Sequence, residues 1–388
     1  MRGGSVPASS LDILPVEGKA MTRRFLAVPD KVYADDPHWR SQLGFERAAH
    51  LNPNKNPGAA SLENRQLFIA VQDGRDVGRI AAFINPAHNA HSSSNDGFFG
   101  FFDCIAEPQI GKALLERAES WLSDRGVNKA IGPAQWSVNE ECGLLIDGFE
   151  TPPVVMMPHG RPAYQEMIEG QGFLKATDML AFQAELAAGY PRPKMTQAMV
   201  RSAARNKDIV IRPMRPSKFM EDVNIVMGIF NDAWSENWGF VPFSDKQITH
   251  MAKEIKPIMF KEGMWVGEYK GEPIAYIWMI PDLNEAIRDL GGSILPFGWA
   301  KLLWRLKVSG VKQARIPLMG LRKEYHNTRT GLSIVASLCE TVFDAARQKG
   351  FTHCELSWIL EDNPGMIAIC EQASAKAYKT YRMYEKNL

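Results

Sequence analysis

The chain has 388 residues, 45% apolar and 23% charged, the balance of a soluble globular protein large enough for two cores. Lys plus Arg total 45 against 44 for Asp plus Glu, a net charge of +1, so no whole-chain field draws nucleic acid and no nucleic-acid partner is expected. No apolar run reaches the roughly 18 residues of a spanning helix.

Met1–Pro15 has no continuous apolar core, so no signal peptide is expected. Five cysteines without a CxxC pair suggest reduced core thiols of a cytoplasmic protein. Residues 67–85 are two short apolar runs around Asp73-Gly74, the signature of a β-hairpin. Pro86 and the run Ser92–Ser94 then argue for a loop, so His88 and His91 are not expected to share a helical turn or hold a metal. Leu114–Gly126 is amphipathic at helical spacing and stops at a glycine. Farther on, Asn139–Gly143, Asp147–Phe149 and Met156–His159 set polar groups among large apolar ones, as a site for a lipid-like amine requires. Core aromatics beside a solvated loop would give the same pattern.

Residues 187–208, with Pro191 and Pro193, are expected to be a linker leading into a short helix, and 209–213 a strand. Trp234–Phe240 (WSENWGF) is a second candidate acceptor cluster. Met264–Pro281 then repeats the hairpin, around Lys270-Gly271, and Ser337–Gly350 repeats the glycine-stopped helix ahead of a strand at 352–360. Gly74 and Gly271 are 197 residues apart and Gly126 and Gly350 are 224 apart, so the second copy carries an insertion of 27 residues, near 282–310. Inside it, Trp299, Leu302, Leu303 and Leu306 form an apolar stripe flanked by Lys301, Arg305 and Lys307. Such a stripe fits a helix lying at the inner face of a membrane, the wall of an acyl-chain tunnel, or a cover over the sheet. The expected organisation is α/β, with one unit at 1–186, a linker at 187–208 and a second unit at 209–388.

This order of hairpin, helix and strand resembles the GNAT acyltransferase fold. In the second copy, Ile316–Arg322 resembles that family's fourth strand, Lys323–Gly331 the loop opening its CoA-binding helix, and Ser357–Asn363 and Tyr378–Lys386 its closing strands. The last two segments, with Asn237–Pro242, resemble a bacterial group of tandem GNAT-like acyl-CoA N-acyltransferases, one branch of which makes ceramide from a fatty acyl donor and a sphingoid amine. The resemblance implies two GNAT-like mixed-sheet units in tandem, acyl-CoA as co-substrate, no metal, and an amine acceptor, a lipid in the ceramide branch.

In that family a helix N-terminus holds the CoA pyrophosphate on backbone N–H groups. The resemblance therefore assigns donor binding to Leu321, Arg329, Thr330, Gly331, Leu332 and Asn363. The loop His326–Gly331 keeps one glycine where the family motif has two small residues, and Arg329 with His326 offers charge instead. The first copy has Glu107 and Pro108 at the same place, an acid and a lost N–H, so that half is not expected to bind CoA. For proton transfer the candidates are Glu361 as base, His326 or His353 as alternatives, and a tyrosine among Tyr378, Tyr381 and Tyr384 as acid, with Tyr381 carried forward. The family's usual tyrosine position, seven residues past Asn363, holds Cys370. Trp234, Asn237, Trp238, Phe240 and Trp358 are the expected acceptor side. Two alternatives stay open: an aminoacyl-tRNA-dependent transferase of the same fold, and a catalytically inactive GNAT-like binding protein.

Overall fold

A computed structural model describes residues 10–62, 64–187, 189 and 193–388. The first half runs β1 (Leu11–Pro15), α1 (Gly18–Val32), α2 (Gly44–Leu51), α3 (Pro57–Ala60), β2 (Asn64–Gln72), β3 (Arg75–Ile84), α4 (Pro86–Ser92), β4 (Asp96–Cys104) and α5 (Pro108–Ser123). It continues through β5 (Lys129–Gly132), β6 (Ala134–Gln135), β7 (Ser137–Cys142), β8 (Leu144–Asp147), α6 (Ala163–Gly170) and β9 (Leu174–Glu185). The second half begins with α7 (Lys194–Arg205), β10 (Ile209–Pro213), α8 (Phe219–Trp234), α9 (Asp245–Ile255), β11 (Met264–Tyr269) and β12 (Glu272–Pro281). It ends with α10 (Leu283–Ile287), α11 (Gly298–Trp304), β13 (Gln313–Leu321), α12 (Arg329–Gln348), β14 (His353–Leu360), α13 (Pro364–Gln372) and β15 (Lys376–Asn387). Residues 188 and 190–192 of the expected linker lie outside the described residues.

Both hairpins form where the turn residues call for them. Asp73 and Gly74, and likewise Lys270 and Gly271, have positive φ, the conformation a two-residue hairpin turn requires. Along β12, Ile277 and Met279 enter a core shared with α12, while Tyr276, Trp278 and Ile280 enter another shared with α8. Burial on both faces explains why this strand is apolar nearly throughout.

Thirteen strands form one mixed sheet in the order β1-β2-β3-β4-β5-β15-β9-β14-β13-β12-β11-β10, with β8 also paired to β15, while β6 and β7 pair in a separate two-stranded sheet. The closing strand of each half is exchanged. β9 pairs with β14 of the second half, and β15, the last strand of the chain, pairs with β5 of the first. β9 and β15 also pair with each other along most of their length, so the two units share one continuous sheet.

In each half two parallel strands pair at their starts and then diverge: β4 with β5 over Asp96–Phe98, and β13 with β14 over Gln313–Ile316. The first wedge is filled by its own chain. Trp136, 1% exposed, packs on Phe83 and Phe101, and a Cβ at Gly100 would lie 1.6 Å from the Ala134 carbonyl oxygen. The second wedge stays open.

Two expectations change. Pro86–Ser92 is a helix, because Pro86 sits at its first turn and the Asn85 side chain accepts from Ala87 and His88 N–H. The insertion's apolar stripe splits: Leu302 and Leu306 pack on the core beneath α12, while Trp299 and Leu303 are exposed. No insertion residue lines the large cavity described below, so it is no tunnel wall.

Candidate active site

The open wedge between β13 and β14 continues into a cavity of about 660 Å³ between α12 and α13. Its floor carries Ile316 and Leu356, the last paired residues of the two strands, and α7 closes one side with Met195 and Met199. Along α12, Leu332, Val335, Ala336, Cys339 and Phe343 line it at i, i+3, i+4, i+7 and i+11, a single helical stripe. At the mouth are His326, Asn327 and Asn363.

The loop entering α12 is built by a cap. Thr328 Oγ1 accepts the Gly331 N–H at 3.0 Å, and the Leu332 N–H already bonds the Thr328 carbonyl at 3.0 Å. The N–H cradle expected over Thr330–Leu332 is therefore narrower than the resemblance implies, because two of its three donors are engaged inside the turn. Gly331 has a second reason to be glycine: a Cβ there would lie 2.3 Å from the Tyr325 carbonyl oxygen and 2.9 Å from Leu321 Cδ2. Arg329 is exposed at the first residue of α12, where an anion would be met by the positive end of a 20-residue helix. His326 Nε2 lies 2.8 Å from the Leu321 carbonyl oxygen, and Asn363 caps α13 by accepting the Met366 N–H at 3.1 Å.

On the other face of the same strands lies a buried polar cluster. Glu355 on β14 is fully buried; its carboxylate accepts from Ser357 Oγ and from the Tyr378 hydroxyl. Arg315 on β13 donates to Ser357 Oγ (2.9 Å) and the Ser357 carbonyl (3.1 Å), and its Nε is 3.9 Å from the Glu355 carboxylate. Burial raises the Glu355 carboxyl above its ordinary value, opposed by Arg315 and the two hydroxyl donors. Beside it, Lys379 donates to the Gly148 and Thr151 carbonyls at 2.8 Å each, and burial lowers its ammonium to about 8. Asp282, pushed up by burial to about 7, accepts the Val155 and Asn284 N–H groups. Ser357 belongs to both places: its hydroxyl touches Glu355 and the residue lines the cavity.

Trp234, Asn237, Leu321, His326, Leu332, Trp358 and Asn363 line this one cavity. Trp234 donates to the Met319 carbonyl at 3.1 Å and packs edge-on to Trp358 at 5.6 Å. Arg329, Thr330 and Gly331 stand outside the lining, at the head of α12. Trp238 packs against the core of the first half, and Phe240 is buried against His91 at 5.2 Å, so neither faces the cavity. The two candidate acceptor clusters lie close together: Asn139 donates to the carbonyl of Val241, the residue after the second cluster, at 2.7 Å.

Glu361 is not where a base is needed. Its two oxygens take the Asp178 N–H at 3.0 Å and the Lys175 ammonium at 2.7 Å, tying the end of β14 to β9 away from the cavity. Tyr381 is wholly buried in the sheet, with a hydroxyl that has no hydrogen-bond partner among the described residues. His353, exposed at the start of β14, bonds Thr352 at 2.9 Å. The residues missed from the sequence are Glu355, Ser357 and Arg315. Their signal was a charge in the middle of each of two apolar strands, ARI and CELSW, of opposite sign and on the same face.

Among the described residues, no group of three or more His, Cys, Asp or Glu could hold a metal ion, and no helix is long and apolar enough to cross a membrane. No family model matches the chain. In fold it is similar to a GCN5-related N-acetyltransferase from Sphaerobacter thermophilus (TM-score 0.56, 11% identity, 97% of this chain and 95% of that one). It is equally similar to a tandem GNAT protein of the clavulanic acid biosynthesis pathway (TM-score 0.55, 12% identity, 97% and 98%). In sequence it is 42% identical to protein YghO of Escherichia coli K12 over 366 residues, 94% of this chain and 93% of that one. It is 40% identical over 381 residues to the bacterial ceramide synthase of Caulobacter vibrioides, 98% of each chain. With an open wedge of the GNAT kind and relatives this similar end to end, the chain belongs to the bacterial ceramide synthase family of tandem GNAT-fold N-acyltransferases.

Proposed function

We propose that this protein moves a fatty acyl group from acyl-CoA to the amine of a lipid, at the open wedge of its second half. The observation that carries this is the large apolar cavity, continuous with the wedge and touching a buried carboxylate through Ser357. The pyrophosphate would rest at the head of α12, against Arg329, Thr330 and Gly331, with Leu321, Leu332 and Asn363 along the donor arm. Trp234, Asn237 and Trp358 would hold the acceptor.

The amine nitrogen attacks the thioester carbon directly, forming the amide C–N bond as the C–S bond breaks. Glu355 takes the amine proton through Ser357 Oγ, and the proton returns to the CoA sulfur, so charge balances over the cycle. Burial raises the proton affinity of Glu355 above that of an ordinary carboxylate, and Arg315 and the Tyr378 hydroxyl stand against it. The ceramide synthesis named for the Caulobacter relative supports a sphingoid-type amine as acceptor.

The same reading brings the protein to a membrane surface, where such lipids reside. Leu295, Phe297, Trp299, Leu303, Trp304 and Val308 are all exposed along the insertion, beside exposed Lys301 and Lys307. Aromatic and aliphatic side chains with lysines at their edge suit an interfacial contact.

The test is turnover: purified protein with palmitoyl-CoA and sphinganine, followed by mass spectrometry. The amide product with release of CoA is expected. Hydrolysis of palmitoyl-CoA without amide, or no CoA release, would overturn the proposal.

A further inference from the structure

The cavity is longer than a wedge needs to be, and its chemistry changes along its length. Leu332 and Phe343 are eleven residues apart on α12, about 16 Å of helix. The end near Leu332 is polar, with His326, Asn327 and Asn363. The middle passes Ser357 and the floor residues Ile316 and Leu356. The far end is mostly apolar, closed by Phe343, with Glu340 and Gln372 also in its lining, and α7 lies across it with Met195 and Met199. A fatty acyl-CoA carries the same polar-to-apolar sequence of groups: phosphates, then the amide-bearing pantetheine arm, then thioester, then hydrocarbon. A second cavity is about 70 Å³ and is lined in part by Arg79, Asp103 and Glu141.

α7 is well suited to be a roof. It is the segment joining the two halves and is packed against α12. Thr196 Oγ1 reaches Gln372 on α13 at 3.4 Å, so the helix spans both walls of the groove. Only Ala203 on α7 is buried in the core sense, and Met195 is 65% exposed. A helix held mainly over a space, with methionines turned to it, suits an adaptable lid over a hydrocarbon chain.

Resting on the acyl-CoA reading above, we propose that the far part of this cavity is the binding site for the donor's fatty acyl chain, roofed by α7, with Ala336, Cys339 and Phe343 setting the chain length accepted. The linker between the two halves is thereby part of the donor site.

The test compares wild type with Ala336→Phe, which blocks the cavity midway, and Met195→Trp, which fills it from an exposed position and leaves the core untouched. Each is assayed for CoA release from acetyl-, octanoyl-, palmitoyl- and stearoyl-CoA with one amine acceptor, and for melting temperature. Both variants should lose activity toward palmitoyl- and stearoyl-CoA by about tenfold or more relative to octanoyl-CoA, the scale on which a pocket discriminates by size. An unchanged chain-length profile in an active, folded Met195→Trp variant would overturn the acyl-chain site while leaving the transferase reading intact. A change in preference for the acceptor's chain length, with none for the donor's, would overturn it in favour of the acceptor's tail. No CoA release from any donor by wild type would instead sink the transferase reading on which the site rests.

Discussion

Ser357 Oγ joins the wall of the cavity to the carboxylate of Glu355, two residues earlier on the same strand. Residues two apart on a regular strand point to one face. Here the pairing of β14 with β9 shifts register between Leu356 and Ile359, and Ser357 serves both the polar cluster and the cavity. On the proposed mechanism this contact carries a proton from the open wedge to a group sealed from water.

From that link, Glu355→Gln should lower turnover by about a hundredfold or more, the usual worth of a positioned base. The melting temperature should fall, because the glutamine leaves the buried Arg315 guanidinium without its carboxylate. On the proposed mechanism Glu355 works as the ionised base, so activity should fall as pH drops through a value above the ordinary carboxylate range. A pH profile of kcat/KM checks the direction, and Ser357→Ala should reduce turnover and move that limb to higher pH, because a hydroxyl donor that holds the carboxyl down is lost.

Arg329→Glu at the head of α12 should weaken palmitoyl-CoA binding at least tenfold, about 1.4 kcal/mol, by placing an acid where phosphates would lie. Because Arg329 is exposed, thermal stability without ligand should stay within about 0.5 kcal/mol of wild type. Calorimetric titration of both proteins measures the difference.

Asp282 supplies a stability prediction with a definite sign. Its folded value, about 7, lies above the ordinary 3.8. The stability available with the neutral acid is present below about pH 4 and declines as pH rises to about 7. Asp282→Asn keeps one oxygen for the Val155 and Asn284 N–H groups, both of which bond Oδ1, and removes the charge. It should melt higher than wild type above about pH 7, with the gap closing toward pH 4. Thermal denaturation across that range tests it.

Strand exchange makes the halves interdependent. A fragment 1–186 lacks β15, and a fragment 209–388 lacks β9, so each exposes long unpaired strand edges. Neither should give a cooperative melt alone. Circular dichroism of the separate and mixed fragments, with the linker included in one, should show structure gained on mixing.

Much of the local structure was legible. Asp73-Gly74 and Lys270-Gly271 marked their turns because hairpin backbones demand positive φ there, and Gly126 and Gly350 marked helix ends for the same reason. The loop His326–Gly331 was singled out through the family resemblance, although its cap by Thr328 was not anticipated. The exchanged strands were invisible, because β9 carries no mark of which neighbour it will pair with. Glu361 was favoured for its place at a strand end, but tertiary partners Lys175 and Asp178 claim both its oxygens. Glu355 was hidden by its apolar neighbours: its meaning depends on Arg315 from one strand and Tyr378 from another. Pro86 misled because a proline at the first turn of a helix looks locally like a breaker.

The central claim, that the open wedge and its cavity hold a long-chain acyl-CoA, is tested most directly by melting the full chain with CoA, acetyl-CoA, octanoyl-CoA and palmitoyl-CoA at equal concentration. A ligand at a hundred times its Kd stabilises by about 2.7 kcal/mol, a shift of a few degrees for a chain this size. The account predicts a rise in melting temperature that grows with acyl length. Equal shifts for all four, or none, would contradict it.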